Sequence, residues 1–330
     1  MTLEEMAKQL GVSKSTVSRA LSGKGRIGAE TKKKIIAYAA EQGMFLPAAA
    51  GKDGGKRNIG VVFPSDIYIN GNPYFQDCLL GICETASMME YNVLLTTGTA
   101  TDITEIQKLV EQEKVDGLIL TRSLVGDKAL KYLTDADFPV GITGVCDLDK
   151  VIQVDTDNKA AVEKLMSILI GEGFRKFALI VEDLTYHVNR SRYDGFFNAL
   201  LKNGIPEKEQ VIYTGNLRVE QLDSMLHNLM ARKVECVICG DDVVCTRIMS
   251  KLQSEGYRIP RDIAIASLYD SQNLNCFTPA VTAVKVLSRQ VGSMVAKQVI
   301  HCLQGKEYER RVVIDHEILL RKSTKRKIGE

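Results

Sequence analysis

Apolar positions recur at helical spacing through the first 46 residues. Leu3, Met6, Ala7 and Leu10 form one stripe, Val17, Ala20 and Leu21 a second, and Ile35, Ile36, Ala39 and Ala40 a third. Gly11 stops the first predicted helix, Ser13 is placed to cap the second, and Ser22-Gly23-Lys24-Gly25 breaks it. The third helix is predicted over residues 29–42 and ends at Gly43. Residues 47–57 then turn to Ala, Gly and Lys with adjacent glycines at 54 and 55, the pattern of a linker. From Asn58 onward, short runs rich in Val and Ile alternate with amphipathic helical stretches, as in βαβ units around a parallel sheet. Strands are predicted over residues 59–63, 92–96, 116–121, 140–143, 151–154, 177–182, 211–214, 236–239, 263–268 and 281–284. The plan of residues 59–90 restarts near Arg175, with a long helix over residues 192–203. Two doubly wound halves follow, with a ligand cleft where the carboxyl ends of both sheets meet.

Composition fits this picture. Of 330 residues, 45% are hydrophobic and 25% charged, which excludes wholesale disorder. The amino terminus carries Glu4 and Glu5 and no apolar core of a leader, and no run of eighteen apolar residues occurs, so a cytoplasmic protein is expected. In that compartment the eight cysteines are expected reduced and buried. The net charge of +2 hides an asymmetry. Residues 1–57 hold eleven Lys/Arg against five Asp/Glu, leaving 32 against 36 in the rest, so a head of +6 sits on a body of −4. A basic head points to a polyanion partner for that part alone.

The stretch from Ala7 to Leu21 has what a helix-turn-helix needs: a small residue for close crossing, Gly11 for the turn, and Val17 with Leu21 as inward anchors. Ser13, Lys14, Ser15, Thr16, Ser18 and Arg19 are the candidate DNA contacts at the groove-facing start of the second helix. Arg can grip guanine with two bonds, Lys can reach phosphate or guanine, and hydroxyls can bond either. Catalytic signatures are missing. Cys236-Val-Ile-Cys239 has C-x-x-C spacing on a predicted strand, where residues three apart face opposite ways, and His187, His227, His301 and His316 show no ligand spacing. Neither a phosphate-binding glycine loop nor a nucleophile elbow occurs, so an enzyme is not expected, nor a cofactor or metal. Asp155 and Asp157 read as caps of a helix near Asn158, and Asp242 as the cap of a helix over residues 243–254.

Val12-Ser13-Lys14-Ser15-Thr16-Val17-Ser18-Arg19-Ala20-Leu21 resembles the recognition-helix signature of the lactose-repressor (LacI/GalR) family of bacterial transcription regulators. Ordered matches continue along nearly the whole chain. Asn72-Pro73-Tyr74-Phe75 resembles the family's N-P-F-F loop, Arg192-Tyr-Asp-Gly195-Phe196 its R-x-x-G-F, Gly240-Asp241-Asp242 its A-N-D, Tyr269-Asp270-Ser271 its F-D-D, and the run from Thr278 to Val284 its T-P-P-L-T-T-V.

The resemblance implies a small all-α helix-turn-helix head over residues 1–46, a hinge over 47–57, and an α/β periplasmic-binding-protein-like core over 58–330. The core would comprise two doubly wound parallel-sheet subdomains, about 58–157 with 286–316 and 158–285 with 317–327. It further implies a cytoplasmic, nucleoid-associated regulator, read as a repressor, that binds a near-palindromic operator as a homodimer. Residues 321–330 are too few and too polar for a tetramerising leucine helix. The effector is expected to be a sugar held by Tyr74, Phe75, Arg192, Asp241 and Asp270, with a nucleobase stacked on Tyr74 or Phe75 as the other ligand chemistry. A sugar-binding protein with a weak DNA role is the alternative function. The linker departs from the family pattern: it lacks the Asn and the Leu of the usual hinge helix, and its glycines oppose helix formation, so no leucine wedge into the minor groove is expected.

Overall fold

The computed structural model describes residues 3–22, 27–41, 56–65, 73–215 and 218–326. The chain opens with α1 (Leu3–Gln9), α2 (Lys14–Ser22) and α3 (Ala29–Glu41). These helices pack because their apolar stripes meet. Met6, Ala7, Val17, Ala20 and Ile35 are buried together, with Leu10, Val12, Ile27 and Tyr38 around them. Gly11 takes φ +65°, the left-handed turn between α1 and α2, and Ser13 Oγ accepts the Thr16 amide at 3.1 Å as the cap of α2. The side chains of Leu3, Leu21, Ile36, Ala39 and Ala40 lie outside the described residues, as do Gly43 and the linker through residue 55.

The core continues with β1 (Asn58–Pro64), α4 (Pro73–Met88), β2 (Asn92–Gly98), α5 (Thr104–Glu111), β3 (Gly117–Leu120), α6 (Lys128–Asp135), β4 (Val140–Thr143) and β5 (Ile152–Thr156). Next come α7 (Asn158–Gly171), β6 (Phe177–Val181), α8 (His187–Lys202), β7 (Val211–Thr214), α9 (Leu222–Ala231), β8 (Cys236–Cys239) and α10 (Asp242–Ser254). The chain finishes with β9 (Ala264–Ser267), α11 (Gln272–Cys276), β10 (Thr282–Val286), α12 (Ser288–Leu303), β11 (Arg311–Ile314) and β12 (His316–Leu319).

Two six-stranded sheets result, ordered β11-β5-β4-β3-β1-β2 and β12-β10-β9-β8-β6-β7. Every pairing is parallel except that of β12 with β10. In the first lobe α4 and α12 cover one face of the sheet, and α5 and α6 the other. In the second, α7 and α8 lie opposite α9 and α10. Burial on both faces explains why most strands read as unbroken apolar runs. The chain passes between lobes from β5 to α7, from β10 to α12 and from β11 to β12.

Ten strands coincide with the predicted ones within a few residues, while β11 and β12 are additional. Helix α8 begins five residues ahead of the predicted 192, so Arg192 falls in its second turn. Cys236 and Cys239 pack into opposite faces of their sheet, as the strand period requires. Five cysteines are buried, Cys83 and Cys302 are partly covered, and Cys276 is exposed. Among the described residues no helix is long and apolar enough to cross a membrane.

Candidate functional site

The carboxyl ends of the two sheets enclose a cavity of about 120 Å³. The first lobe contributes Tyr74 and Phe75 from the start of α4, Thr121 to Ser123 after β3, Thr143 and Gly144 at the end of β4, and Asp155 in β5. The second contributes Glu182 after β6, Asn189 and Arg192 from α8, Asp241 after β8 and Tyr269 after β9. Placement at strand ends follows from the doubly wound order, which leaves the loops there free to diverge.

Arg192 is the central charge. Its side chain is carried by α8, which Gly195 lets approach α7 so closely that a Cβ would stand 2.6 Å from the Lys159 carbonyl oxygen. Only 8% of Arg192 is exposed, and its Nε has no hydrogen-bond partner. Burial lowers its pKa, and the charges of Asp241 and Asp155 oppose that. Asp155 accepts the Thr156 amide at 2.8 Å and faces Asn158 Nδ2 at 3.3 Å, yet burial pushes its carboxyl up to about 7. Glu182 is likewise pushed to about 7 by burial, with Asp241 adding to the rise. A buried guanidinium with an unmet donor, beside carboxylates that hold their protons unusually well, is a constellation made for a polar ligand.

Of the residues expected at the effector, Tyr74, Phe75, Arg192 and Asp241 line the cavity. Phe75 is mostly core, buried against Phe63 at a 6.0 Å centroid distance, whereas Tyr74 stands edge-on to both Phe75 and Tyr269. Asp241 also caps α10, accepting the Val244 amide at 2.8 Å. That corrects the expected cap: Asp242 is the first residue of the helix, 1% exposed, with its carboxyl pushed up to about 6 by burial. Asp270 is absent from the lining. Its two carboxylate oxygens meet Arg321 at 2.7 and 2.9 Å, an ion pair that ties Arg321 to the segment just after β9 in the second lobe and turns the carboxylate to a partner within the protein. Asp157 caps α7 through the Ala160 amide, but Asp155, read as its fellow cap, belongs to the cleft. Asp155 and Glu182 are the acidic lining residues that sequence reasoning missed, beside Arg122, Asn189 and Tyr269; for the two acids the signal available was a carboxylate at or just after the end of a predicted strand.

In the head, Lys14, Ser15, Ser18 and Arg19 are exposed along α2 and Thr16 is partly covered. Ser13 Oγ lies 2.8 Å from both the Ser15 and Thr16 hydroxyls as well as capping, so its own hydroxyl is held to the helix start.

Residues 2–47 match the family model of bacterial regulatory proteins, lacI family, and residues 56–322 that of the periplasmic binding proteins and sugar binding domain of LacI family. The transcriptional regulator MalR of Staphylococcus xylosus is 30% identical over 315 residues, covering 92% of each chain. The probable maltose operon repressor malR of Staphylococcus aureus superposes with a TM-score of 0.76 at 26% identity, over 82% of this chain and 99% of that one. The regulator CelR in complex with cellobiose gives 0.74 at 22% identity, over 98% and 99%. With both of its parts matched in order, the chain belongs to the LacI family: it is a helix-turn-helix transcription regulator with a periplasmic-binding-protein-like core, and not an enzyme.

Proposed function

We propose that this regulator is a cytoplasmic homodimeric repressor that reads a near-palindromic operator through the exposed side chains of α2 and responds to a small polyhydroxylated molecule, a sugar, in the cleft. The observation that carries the effector half is the buried, unpartnered Nε of Arg192 at the meeting of both lobes. A guanidinium fork suits a pair of vicinal hydroxyls, and Asp155 and Asp241 offer acceptors for further hydroxyl protons. Relatives named for maltose and solved with cellobiose support the sugar class. Dimerisation follows from the reach of one recognition helix, too short to specify an operator alone. The ligand acts by preferring one relative arrangement of the lobes, and operator affinity then shifts by its differential affinity for the two.

Calorimetry of the full chain against a carbohydrate panel, with purine bases as a second arm, tests the cleft. A sugar should bind, and Arg192→Ala should weaken it by at least about tenfold, the loss of a charged hydrogen bond or two. A ligand indifferent to Arg192→Ala rules the cleft out, and a purine bound in place of any sugar overturns the ligand class.

A further inference from the structure

We infer that the effector carries a protonated amine beside its hydroxyls, as an amino sugar or an aminated polyol does, and that Glu182 is the group that selects it. The inference rests on the cleft being the effector site and concerns what that site prefers.

The cavity is lined by three carboxylates, Asp155, Glu182 and Asp241, and by two guanidiniums, Arg192 from the second lobe and Arg122 from the first. Two of the carboxylates are already engaged. Asp155 takes the Thr156 amide and Asn158, Asp241 takes the Val244 amide, and these two acids are the carboxylates whose charge bears on Arg192. Glu182 differs on each count. It stands just past the carboxyl end of β6, partly buried, and accepts no hydrogen bond from any described residue. Its nearest charges are mostly of its own sign: Asp241 and Asp183 act against its ionisation, and Arg247 alone favours it. A desolvated carboxylate without a donor is unfavourable, and the described residues offer none.

Arg192 supplies the independent sign that a ligand belongs here, since its nine-tenths buried guanidinium also faces the cavity with Nε unmet. A neutral sugar answers Arg192 through hydroxyl or ring oxygens but gives Glu182 a single neutral donor. An ammonium gives Glu182 and Asp241 a charge-assisted donor, roughly twice as strong, and sets a positive charge against the like-signed Asp241 and Asp183 that surround Glu182. A metal ion is a poorer occupant, for among the described residues no three carboxylate, His or Cys groups converge as ligands.

The test uses the full chain and calorimetry with D-glucosamine, D-galactosamine and D-mannosamine, each beside its neutral parent sugar and its N-acetyl derivative. At least one free amine should bind about tenfold more tightly than both companions. Glu182→Gln should bring that amine to the level of its neutral parent, and Glu182→Asp, which keeps the charge, should restore part of the preference. Equal binding of amine and parent to the unmodified protein overturns the inference but leaves the cleft a sugar site. So does a preference that survives Glu182→Gln. Silence from every sugar, amine and neutral alike, overturns the sugar reading itself and the inference with it.

Discussion

Glu182 makes folding pH-dependent in a direction that can be worked out. Burial raises its folded value to about 7, above the ordinary value of about 4.3 for an exposed Glu. Between those values the folded state holds the proton more firmly, so the contribution to stability is full below about pH 4 and is lost as pH rises through 7. Asp155, at about 7, and Asp242, at about 6, act with the same sign. Glu182→Gln should therefore melt above the unmodified protein at pH 8, with the gap closing toward pH 5, because the amide cannot ionise. Thermal melts across that range check it, and a variant no more stable at pH 8 than at pH 5 relative to its parent would contradict the buried, partnerless carboxylate. The neighbouring aspartates show how finely such roles divide: Asp241 holds a helix amide while Asp242, one residue on, turns inward with Oδ1 unpartnered.

Among elements, the pairing of α4 with α12 is the tightest crossing. A Cβ on Gly292 would collide with the Cys78 carbonyl, and one on Gly81 with the Arg289 carbonyl, so each helix presents a glycine to the other's backbone. Backbone cannot swing aside as a side chain can. Gly292→Ala should cost on the order of 2 kcal/mol or more by overpacking. Gly171, the last residue of α7, has open space around its missing Cβ and no left-handed φ, so Gly171→Ala should stabilise by about 0.5 to 1 kcal/mol. Urea denaturation of the two variants decides the matter, and a shared sign would refute the packing account. At the sheet margins, β11 and β12 are four residues each and partly exposed, and they pair across the β5 and β10 edges from far away in the chain.

The two lobes of the molecule also meet at the cleft mouth. The Val125 amide donates to the Thr185 carbonyl at 2.9 Å and the His187 amide to the Ser123 carbonyl at 3.3 Å, a short antiparallel bridge joining the loop after β3 to the start of α8. Since α8 carries Arg192, the bridge holds this cavity-lining guanidinium against the first lobe. Val125→Pro removes one donor at an exposed position, and at about 1 kcal/mol it should weaken effector binding roughly fivefold and raise the radius of gyration of the free protein. X-ray scattering and calorimetry measure both, and no change in either would show the bridge to be incidental. On the DNA side, affinity should fall steeply with salt, given the head's net +6. Arg19→Ala should cost about 1 to 3 kcal/mol and relax selectivity at one base of each half-site. Fluorescence anisotropy on a selected operator reads it, and unaltered specificity would remove Arg19 from base reading.

Much of this protein is legible in short stretches of its chain. The three head helices, the turn at Gly11, the Ser13 cap and ten of the strands depend on signals within a few residues, which is why periodicity and capping chemistry suffice for them. The motif resemblance singled out Arg192 and Asp241, and both line the cavity between the sheets. What the chain could not announce is which carboxylate meets which cation. Asp270 is drawn to Arg321, 51 residues away, and Asp155 and Glu182 become cleft groups only when two separate sheets bring their carboxyl ends together. A carboxylate looks the same in sequence whether it caps a helix, closes an ion pair or waits for a ligand; its surroundings in space, set by long-range packing and the water it has lost, decide between them.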